Sequence, residues 1–264
     1  MKDAIERIMP YFGETTYSIE PGRGFPRFGA CHLLWLAAAV LIFVLMGLAF
    51  RKWDAARRRQ AMVIVAVLTV LDELGKYIVT GAWGHFRLDY LPLHLCSINI
   101  FLIAADVIRP NRRIRELLYT LSLPGALCAL LFPTWTELPV TAFMHLHSFT
   151  VHILLMLYPL MLIYDGFEPD LKAFVRTLPV DAVVVAGVFL FNKVFGTNFM
   201  FLNGSEPGNP LALAEALLGN PGYLVVFFLL LLAVVVLMNT AVAALIRRLR
   251  SAGRPGDVPG SVRC

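Results

Sequence analysis

Charged residues are scarce in this sequence of 264 residues. Only 16% of the side chains are charged, against roughly 25% in a typical water-soluble protein. Hydrophobic residues make up 58% of the chain, and the mean hydropathy is +0.71. The missing charge leaves long uncharged runs, of the length needed to cross about 30 Å of hydrocarbon. These figures exclude an ordinary soluble domain and indicate a polytopic membrane protein.

Motifs for nucleotide, metal and disulfide chemistry are also missing. The four cysteines form neither a C-x-x-C pair nor a metal-ligand spacing. The chain has no glycine-rich phosphate loop and no G-x-S-x-G element. We therefore expect no metal, no cofactor and no disulfide. The net charge of +5 does not indicate a nucleic-acid partner, because basic residues in a membrane protein mark the loops on its inner side.

The sequence does contain uncharged runs of about 20 residues, each long enough for a membrane-spanning helix. A barrel is excluded because the alternating pattern of its strands is absent. The predicted class is all-α, a polytopic membrane protein with seven transmembrane helices in one bundle. The predicted spans are residues 30–50, 61–80, 91–108, 114–132, 139–164, 179–198 and 223–246.

Lysine and arginine are divided unevenly between the two sides of the predicted bundle. Of the 23 basic residues, 16 fall on one side, six on the other and one, Lys76, within a span. The positive-inside rule then places the N-terminus outside and the C-terminus inside. We expect an extracytoplasmic amphipathic and loop segment at 1–29, a membrane domain at 30–246 and a basic, disordered cytoplasmic tail at 247–264. The expected location is the cell membrane, the inner membrane in bacteria.

A short apolar stretch lies between the last two predicted spans. Residues 211–218 are enclosed by the dipeptides Asn209-Pro210 and Asn220-Pro221, and Asn-Pro pairs typically begin turns. The stretch is too short to cross the bilayer. It therefore predicts an interfacial or re-entrant helix.

Three ionisable residues interrupt the second predicted span. Asp72, Glu73 and Lys76 place opposite charges on one helix face, at spacings of three and four residues. A charge at mid-membrane costs about 2.5–3.5 kcal/mol, so it is usually paired and usually functional. The trio has a net charge of minus one, which predicts a further donor on another helix, with histidine the obvious supplier. The alternative is a structural network that fixes helix packing.

The third predicted span begins with His94, Cys96, Ser97 and Asn99 close together. Positions two apart on an intact helix point in nearly opposite directions, so His94 and Cys96 cannot form a dyad there. Cys96 and Asn99 share a face. A reactive thiol at Cys96 would therefore need its base from another span. A small buried hydrophobic residue is the more ordinary role for a lone cysteine.

The fifth predicted span contains a polar stripe. His145, Ser148 and His152 follow one another at i, i+3 and i+7 on one helix face. Imidazoles are unfavourable in an apolar core because each ring has a donor and an acceptor that need hydrogen-bond partners. The stripe indicates proton transfer or substrate hydrogen bonding, and a structural network is the alternative. A metal site would need a third ligand such as His94 or Glu73, and no H-E-x-x-H motif is present.

These polar residues converge on one half of the predicted bundle. With the N-terminus outside, His94 and His145 fall in the outer third of the membrane, and Lys76 reaches outward from below. Asn192 and Asn198 lie at the outer end of the sixth span. The pattern predicts a cavity that opens to the outer leaflet.

Several stretches together resemble a known family. Residues 91–97, the segment from His145 to His152 and residues 196–202 are similar to the bacterial YwaF-like integral membrane proteins, relatives of the eukaryotic transmembrane protein 164 family. The eukaryotic members are described as acyltransferases that remodel ether phospholipids with a proposed cysteine and histidine. The resemblance thus implies a lipid substrate. In those relatives the thiol directly precedes the histidine, whereas here Leu93 has that place and the thiol follows at Cys96.

Together these features favour an enzyme that transfers or hydrolyses an acyl group on a membrane phospholipid or similar acyl lipid. His145 or His152 would be the general base. His94 would be a second acid/base or an oxyanion donor, and Glu73 would orient an imidazole. Lys76 and Asn198 would contact a phosphate or ester oxygen. The candidate catalytic residues are His145, His152, His94, Glu73 and Cys96. The candidate substrate-binding residues are Lys76, Asp72, Ser148, Asn99, Asn192 and Asn198.

Two other functions fit the same residues. In the first, the ionisable cluster forms the site of a proton-linked carrier or binding protein for a small polar or amphipathic ligand. In the second, the polar network is purely structural in a protein that binds a partner.

Overall fold

The computed structural model of the chain describes residues 2–205 and 211–252. Within these ranges every regular element is helical. Helices suit a lipid environment because they satisfy their backbone amides within one segment. The α-helices are α1 (Lys2–Ile8), α2 (Ala30–Lys52), α3 (Ala55–Ala82), α4 (Leu95–Ile108), α5 (Arg112–Leu117), α6 (Leu123–Leu131), α7 (Phe143–Tyr164), α8 (Leu171–Val175), α9 (Leu178–Phe195), α10 (Leu211–Leu218), α11 (Tyr223–Leu237) and α12 (Ala243–Ala252).

Six helical stretches of the described residues are long and apolar enough to cross a membrane. Helix α3 has 28 residues, but its charged side chains keep it out of this group. All seven predicted spans therefore coincide with helical stretches, and six of them also have the composition of a membrane span. The six are Ala30–Lys52, Leu88–Ile108, Arg112–Leu131, Phe143–Tyr164, Leu178–Phe195 and Tyr223–Leu249.

Large apolar side chains cover the outside of the bundle. Leu34 on α2, Val183 on α9 and Leu229 on α11 are all well exposed. A soluble protein rarely shows so continuous an apolar surface. Lipid tails are the solvent that such a surface fits.

Helix α7 lies at the centre of the bundle. It packs against α2, α3, α4 and α6, and its side chains Tyr158 and Met161 are fully buried. Gly75 allows α3 to approach closely, since a Cβ at that position would lie only 2.9 Å from the ring of Phe143. The histidines of α7 are thus held between helices that carry the other candidate residues.

Two π-helical turns lie against each other near the end of the chain. Leu118–Ser122 joins α5 to α6, and Met238–Val242 joins α11 to α12. The hydroxyl of Tyr119 donates to the carbonyl oxygen of Met238 at 2.6 Å. A π turn carries an extra residue and widens the helix locally. The widened turns bring the last helix into contact with the bundle.

Two boundaries differ from those predicted. Helix α4 begins at Leu95, not at residue 91, and His94 before it has extended backbone angles. Pro92 disfavours helical geometry at the preceding residue and lacks an amide donor. The intact helix assumed for residues 91–99 is therefore wrong. At the other end, α12 continues to Ala252, so the first part of the predicted tail is helical.

Other predictions for the C-terminal part can be compared only in part. The predicted short helix at residues 211–218 is confirmed as α10. The dipeptide Asn209-Pro210, the tail from residue 253 onward and Cys264 lie outside the described residues.

The N-terminal segment, residues 2–29, packs across one end of the bundle. The amide of Phe25 donates to the carbonyl oxygen of Thr136 at 2.8 Å, and the amide of Phe143 donates to that of Phe12 at 2.9 Å. Gly24 is required for this approach, because a Cβ there would lie 1.8 Å from the Thr136 carbonyl oxygen. The segment therefore holds the loop between α6 and α7.

We expect Gly24→Ala to lower thermal stability, since the added methyl group has no room against a backbone oxygen and overpacking typically costs about 1–3 kcal/mol. The measurement is thermal unfolding in mild detergent, followed by near-ultraviolet circular dichroism. Gly187→Ala is the matched control: a Cβ there meets no atom within 4 Å, and alanine favours a helix. Equal unfolding temperatures for the two variants would show that the close contact at Gly24 does not matter.

Candidate active site

The structure brings a thiol and an imidazole together between α4 and α7. Cys96 is the second residue of α4, and its Sγ lies 3.2 Å from Nε2 of His152 on α7. This separation is within reach for a nucleophile and its base. The sequence predicts that any base for Cys96 must come from another span. The fifth predicted span supplies an imidazole at that place.

A backbone carbonyl fixes the tautomer of His152. Its Nδ1 lies 2.6 Å from the carbonyl oxygen of Ser148, one helical turn earlier. A carbonyl oxygen only accepts, so Nδ1 carries the hydrogen. In the neutral ring this leaves a lone pair on Nε2, which faces Cys96. The imidazole is thus held in the form that can take a proton from the thiol.

An indole covers one face of this imidazole. The rings of Trp135 and His152 are stacked, with centroids 5.2 Å apart and planes 8° from parallel. Trp135 belongs to the loop between α6 and α7 and is buried. It is absent from the predicted site because a single aromatic residue in a loop has no helical periodicity that would reveal its neighbours.

The charged residues of α3 form a tight cluster. The Nζ of Lys76 donates to Oε1 of Glu73 at 2.6 Å, and the hydroxyl of Tyr77 donates to the same oxygen at 2.8 Å. The Lys76 ammonium also lies over the Tyr77 ring, 4.8 Å from its centroid. Lys76 and Glu73 are both buried. The ammonium and carboxylate therefore neutralise each other within one helix.

The remaining carboxylate meets a histidine of α7. Nδ1 of His147 lies 3.2 Å from Oδ2 of Asp72, and its Nε2 lies 3.9 Å from Oε2 of Glu73. The first contact has the distance of an ion pair but not the angle of a hydrogen bond, since Nδ1 has no hydrogen-bond partner among the described residues. Thr150 donates to both oxygens of Asp72 at 3.2 Å. Histidine is the predicted donor, but His147 is missing from the predicted site residues.

A spacing signal for His147 is present in the sequence. His147 and Thr150 lie three residues apart, so they share a face of α7 that differs from the face of His145 and His152. That second face is the one that meets Asp72.

His94 lies beside the loop that follows α9. Its Nδ1 accepts a hydrogen bond from the amide of Met200 at 3.3 Å, and its ring packs edge-on against Phe199, with centroids 4.9 Å apart. Met200 has a positive φ of 57°, which is uncommon for a residue with a side chain. The unusual backbone directs its amide toward His94.

His145 is engaged on both ring nitrogens. Trp35 on α2 donates to its Nε2 at 3.0 Å, and its Nδ1 lies 3.2 Å from the carbonyl oxygen of Leu138. The carbonyl requires a hydrogen on Nδ1, and the indole occupies the lone pair of Nε2. The neutral ring therefore has no free lone pair with which to take a proton. His145 therefore lacks the free ring nitrogen that a general base needs, whereas Nε2 of His152 faces a thiol.

Two of the three predicted asparagines, Asn192 and Asn198, stabilise the loop after α9. Asn192 accepts from the amide of Phe199 and donates to its carbonyl oxygen, both at 2.9 Å. Asn198 accepts from the amide of Asn203 at 3.0 Å and donates to the carbonyl oxygen of Gly204 at 2.9 Å. Their amide groups are thus committed to backbone partners. A contact of either asparagine with substrate stays a prediction.

Two further candidates lie beside the dyad that is formed by Cys96 and His152. Ser148 precedes His152 by one turn, and its hydroxyl donates to the carbonyl oxygen of Met144 at 2.7 Å. Asn99 follows Cys96 by one turn and is buried. Both residues lie close to the thiol and imidazole along their helices, and a contact of either with substrate stays a prediction.

Comparison with known proteins identifies the family of the chain. The model of the TMEM164 family matches residues 27–239. The chain belongs to the TMEM164 family. The matched range of this family member includes α2 to α11 and every site residue described above, and the membership agrees with a multi-pass membrane protein. No curated protein and no solved structure matches the chain.

Among residues 2–205 and 211–252, no group of three or more His, Cys, Asp or Glu side chains is arranged to hold a metal ion.

We expect Lys76→Met to destabilise the protein strongly, because removing one partner of a buried ion pair costs about 3–5 kcal/mol. Adding Glu73→Gln removes the orphaned charge, so the double variant should unfold at a higher temperature than Lys76→Met alone. Thermal unfolding in detergent measures both. Leu74→Met, an exposed change on the same helix, should unfold like the native protein. A double variant less stable than Lys76→Met would contradict the pairing.

Proposed function

We propose that this member of the TMEM164 family is a membrane enzyme that transfers or hydrolyses an acyl group of a phospholipid. One observation carries the proposal: Sγ of Cys96 lies 3.2 Å from Nε2 of His152, and the other ring nitrogen is engaged by a carbonyl. A thiol beside an imidazole oriented in this way is the arrangement used for covalent acyl transfer. The activity implied by the resemblance to the eukaryotic relatives agrees with it.

The first half of the reaction forms a thioester. His152 takes the thiol proton on Nε2, and the sulfur of Cys96 attacks the ester carbonyl carbon of the lipid. The tetrahedral intermediate then expels the glycerol oxygen, which receives the proton held by His152. The carbon–oxygen bond breaks, a carbon–sulfur bond remains, and a lysophospholipid leaves.

The second half returns the thiol. His152 takes a proton from the hydroxyl of an acceptor, which attacks the thioester carbonyl carbon. The carbon–sulfur bond breaks, and the sulfur of Cys96 recovers the proton from the imidazole. A lysophospholipid as acceptor makes the protein a transferase, and water makes it a hydrolase.

The hydrogen bond from Met200 to His94 supports a role for His94 as an oxyanion donor. The amide of Met200 donates to its Nδ1, so the neutral ring carries its hydrogen on Nε2. A neutral N–H near the start of α4 is a suitable partner for the negative oxygen of the tetrahedral intermediate. This favours the oxyanion role over the acid/base role for His94.

The cluster on α3 supports recognition of the head group. Lys76 is a buried ammonium on the helix that packs against both α4 and α7, and a phosphate is the lipid group that would engage it. Glu73 holds Lys76 in place by an ion pair, and Asp72 lies 3.2 Å from Nδ1 of His147. Glu73 contributes to the site through these partners, while the Ser148 carbonyl orients His152.

We also propose a membrane topology for the chain. Seven spans, with α3 as the second, and an outer N-terminus agree with 16 of 23 basic residues falling on one side. The dyad then lies in the half of the bundle nearer the outer leaflet, where a lipid could enter between helices. The membrane is proposed to be the inner membrane of a bacterium.

We expect an acyl adduct on the native protein after incubation with a diacyl phospholipid, detected by intact-protein mass spectrometry, together with a lyso-lipid product. Cys96→Ala should abolish the adduct. His152→Ala should slow its formation by roughly 10²–10⁴, as loss of a general base does. His145→Ala should retain the rate per folded molecule but unfold at a lower temperature. Cys128→Ala, which alters an exposed thiol on α6, is the matched control and should react normally.

Two results would overturn this function. An adduct and product that persist in Cys96→Ala would exclude the thiol as the nucleophile. Intact lipid bound equally by all variants, with no adduct and no product, would favour a carrier or binding protein, whose measure would be pH-dependent uptake in vesicles.

A further inference from the structure

The indole of Trp135 has a hydrogen-bond donor that the protein leaves unused. The side chain is only 8% exposed, and its Nε1 is buried without a hydrogen-bond partner among the described residues. Buried polar groups in folded proteins are nearly always paired, because an unpaired donor has lost its water without replacement. An orphaned donor beside a candidate active site therefore indicates a group that arrives with a ligand.

Two other tryptophans of the chain show the usual behaviour. The indole of Trp35 donates to His145 at 3.0 Å, and that of Trp83 donates to Glu6 at 2.7 Å. Both donors are used inside the protein. Trp135 differs from them in this respect, and it is also the one whose ring stacks on His152.

The position of Trp135 is fixed by the backbone around it. Its carbonyl oxygen accepts from the amide of Leu138 at 3.2 Å, and the next residue, Thr136, accepts from Phe25 of the N-terminal segment at 2.8 Å. The ring also packs edge-on against Phe149 on α7. The donor is thus held in place before any ligand binds, as a binding group should be.

The loop that carries Trp135 borders an open groove. The groove has a volume of about 260 Å³, and its lining includes Phe25, Thr136 and Glu137. Thr136 and Glu137 directly follow Trp135 in the chain. The buried indole and the open groove therefore belong to the same loop.

We propose that Trp135 is a substrate-contacting residue whose indole N–H donates to the carbonyl oxygen of the acyl ester that Cys96 attacks. The inference rests on the proposed function and deepens it, because it names the substrate group that the site recognises. The imidazole of His152 lies next to both residues, because Trp135 covers its face and Cys96 contacts its Nε2. With His94, Trp135 would supply the two donors that a developing oxyanion needs.

The test separates the N–H from the ring. Trp135→Phe keeps an aromatic ring against His152 and removes the donor together with part of the indole. Loss of one oxyanion donor lowers turnover by about 10²–10³, so we expect adduct formation per folded molecule to slow by that factor. The unfolding temperature should also fall, because a smaller ring leaves a cavity at this buried position. Trp35→Phe is the matched control, because its donor has a protein partner. It makes the same change in size and also loses an internal hydrogen bond, so it should unfold at a lower temperature and keep a normal rate per folded molecule.

A binding measurement makes the inference independent of turnover. Native mass spectrometry would compare dioleoyl phosphatidylethanolamine with its diether analogue, which lacks the ester carbonyl, on the native protein and on Trp135→Phe. We expect the substitution to weaken binding of the diester at least tenfold and to leave the diether unchanged.

Each outcome has a distinct meaning. An unchanged adduct rate in Trp135→Phe, when Cys96→Ala is inactive, overturns the role of Trp135 and leaves the proposed function standing. No adduct in the native protein overturns the proposed function, and the binding comparison then decides the contact by itself. Equal weakening for diester and diether would mean that the indole binds another oxygen of the lipid, which also overturns the assignment to the ester carbonyl.

Discussion

The polar contact between the charged cluster of α3 and His147 of α7 helps to hold these two helices together, and the candidate site depends on it. Asp72, Glu73 and Lys76 leave one negative charge uncompensated on α3, and His147 on α7 lies between the two carboxylates. A buried carboxylate without a polar partner costs free energy, so this contact favours one alignment of the two helices. Because α7 is held by α3 along one face, another face of the same helix directs His152 to Cys96 on α4.

Three histidines within eight residues of α7 thus have three different environments. His145 is locked between the Trp35 indole and a carbonyl, His147 lies between carboxylates, and His152 contacts a thiol. The imidazole is chemically the same each time. What differs is whether its neighbours are donors, carboxylates or a thiol, and that difference decides which ring nitrogen is left available.

Features repeated along a helix could be predicted, and features set by neighbouring helices could not. The apolar runs gave the positions of the helices, and the charged trio required a histidine from another span. Periodicity could not rank His145 against His152, because both lie on one stripe and only Trp35 and Cys96 distinguish them. Pro92 indicates a break, yet the exact start of α4 depends on the turn before it. Trp135 lies in a loop, where no periodicity shows what it contacts.

The paired π turns have a consequence for the register of the last helices. An α-helix advances about 100° per residue, so the extra residue in Leu118–Ser122 turns all of α6 by that angle relative to α5. This rotation brings Ala126 and Leu130 onto the buried side. The bond from Tyr119 to Met238 joins the turn to its counterpart. The rotation of α6 about its axis is therefore coupled to that of α12, more than a hundred residues later in the chain. A change in the length of either π turn would alter the packing of both helices.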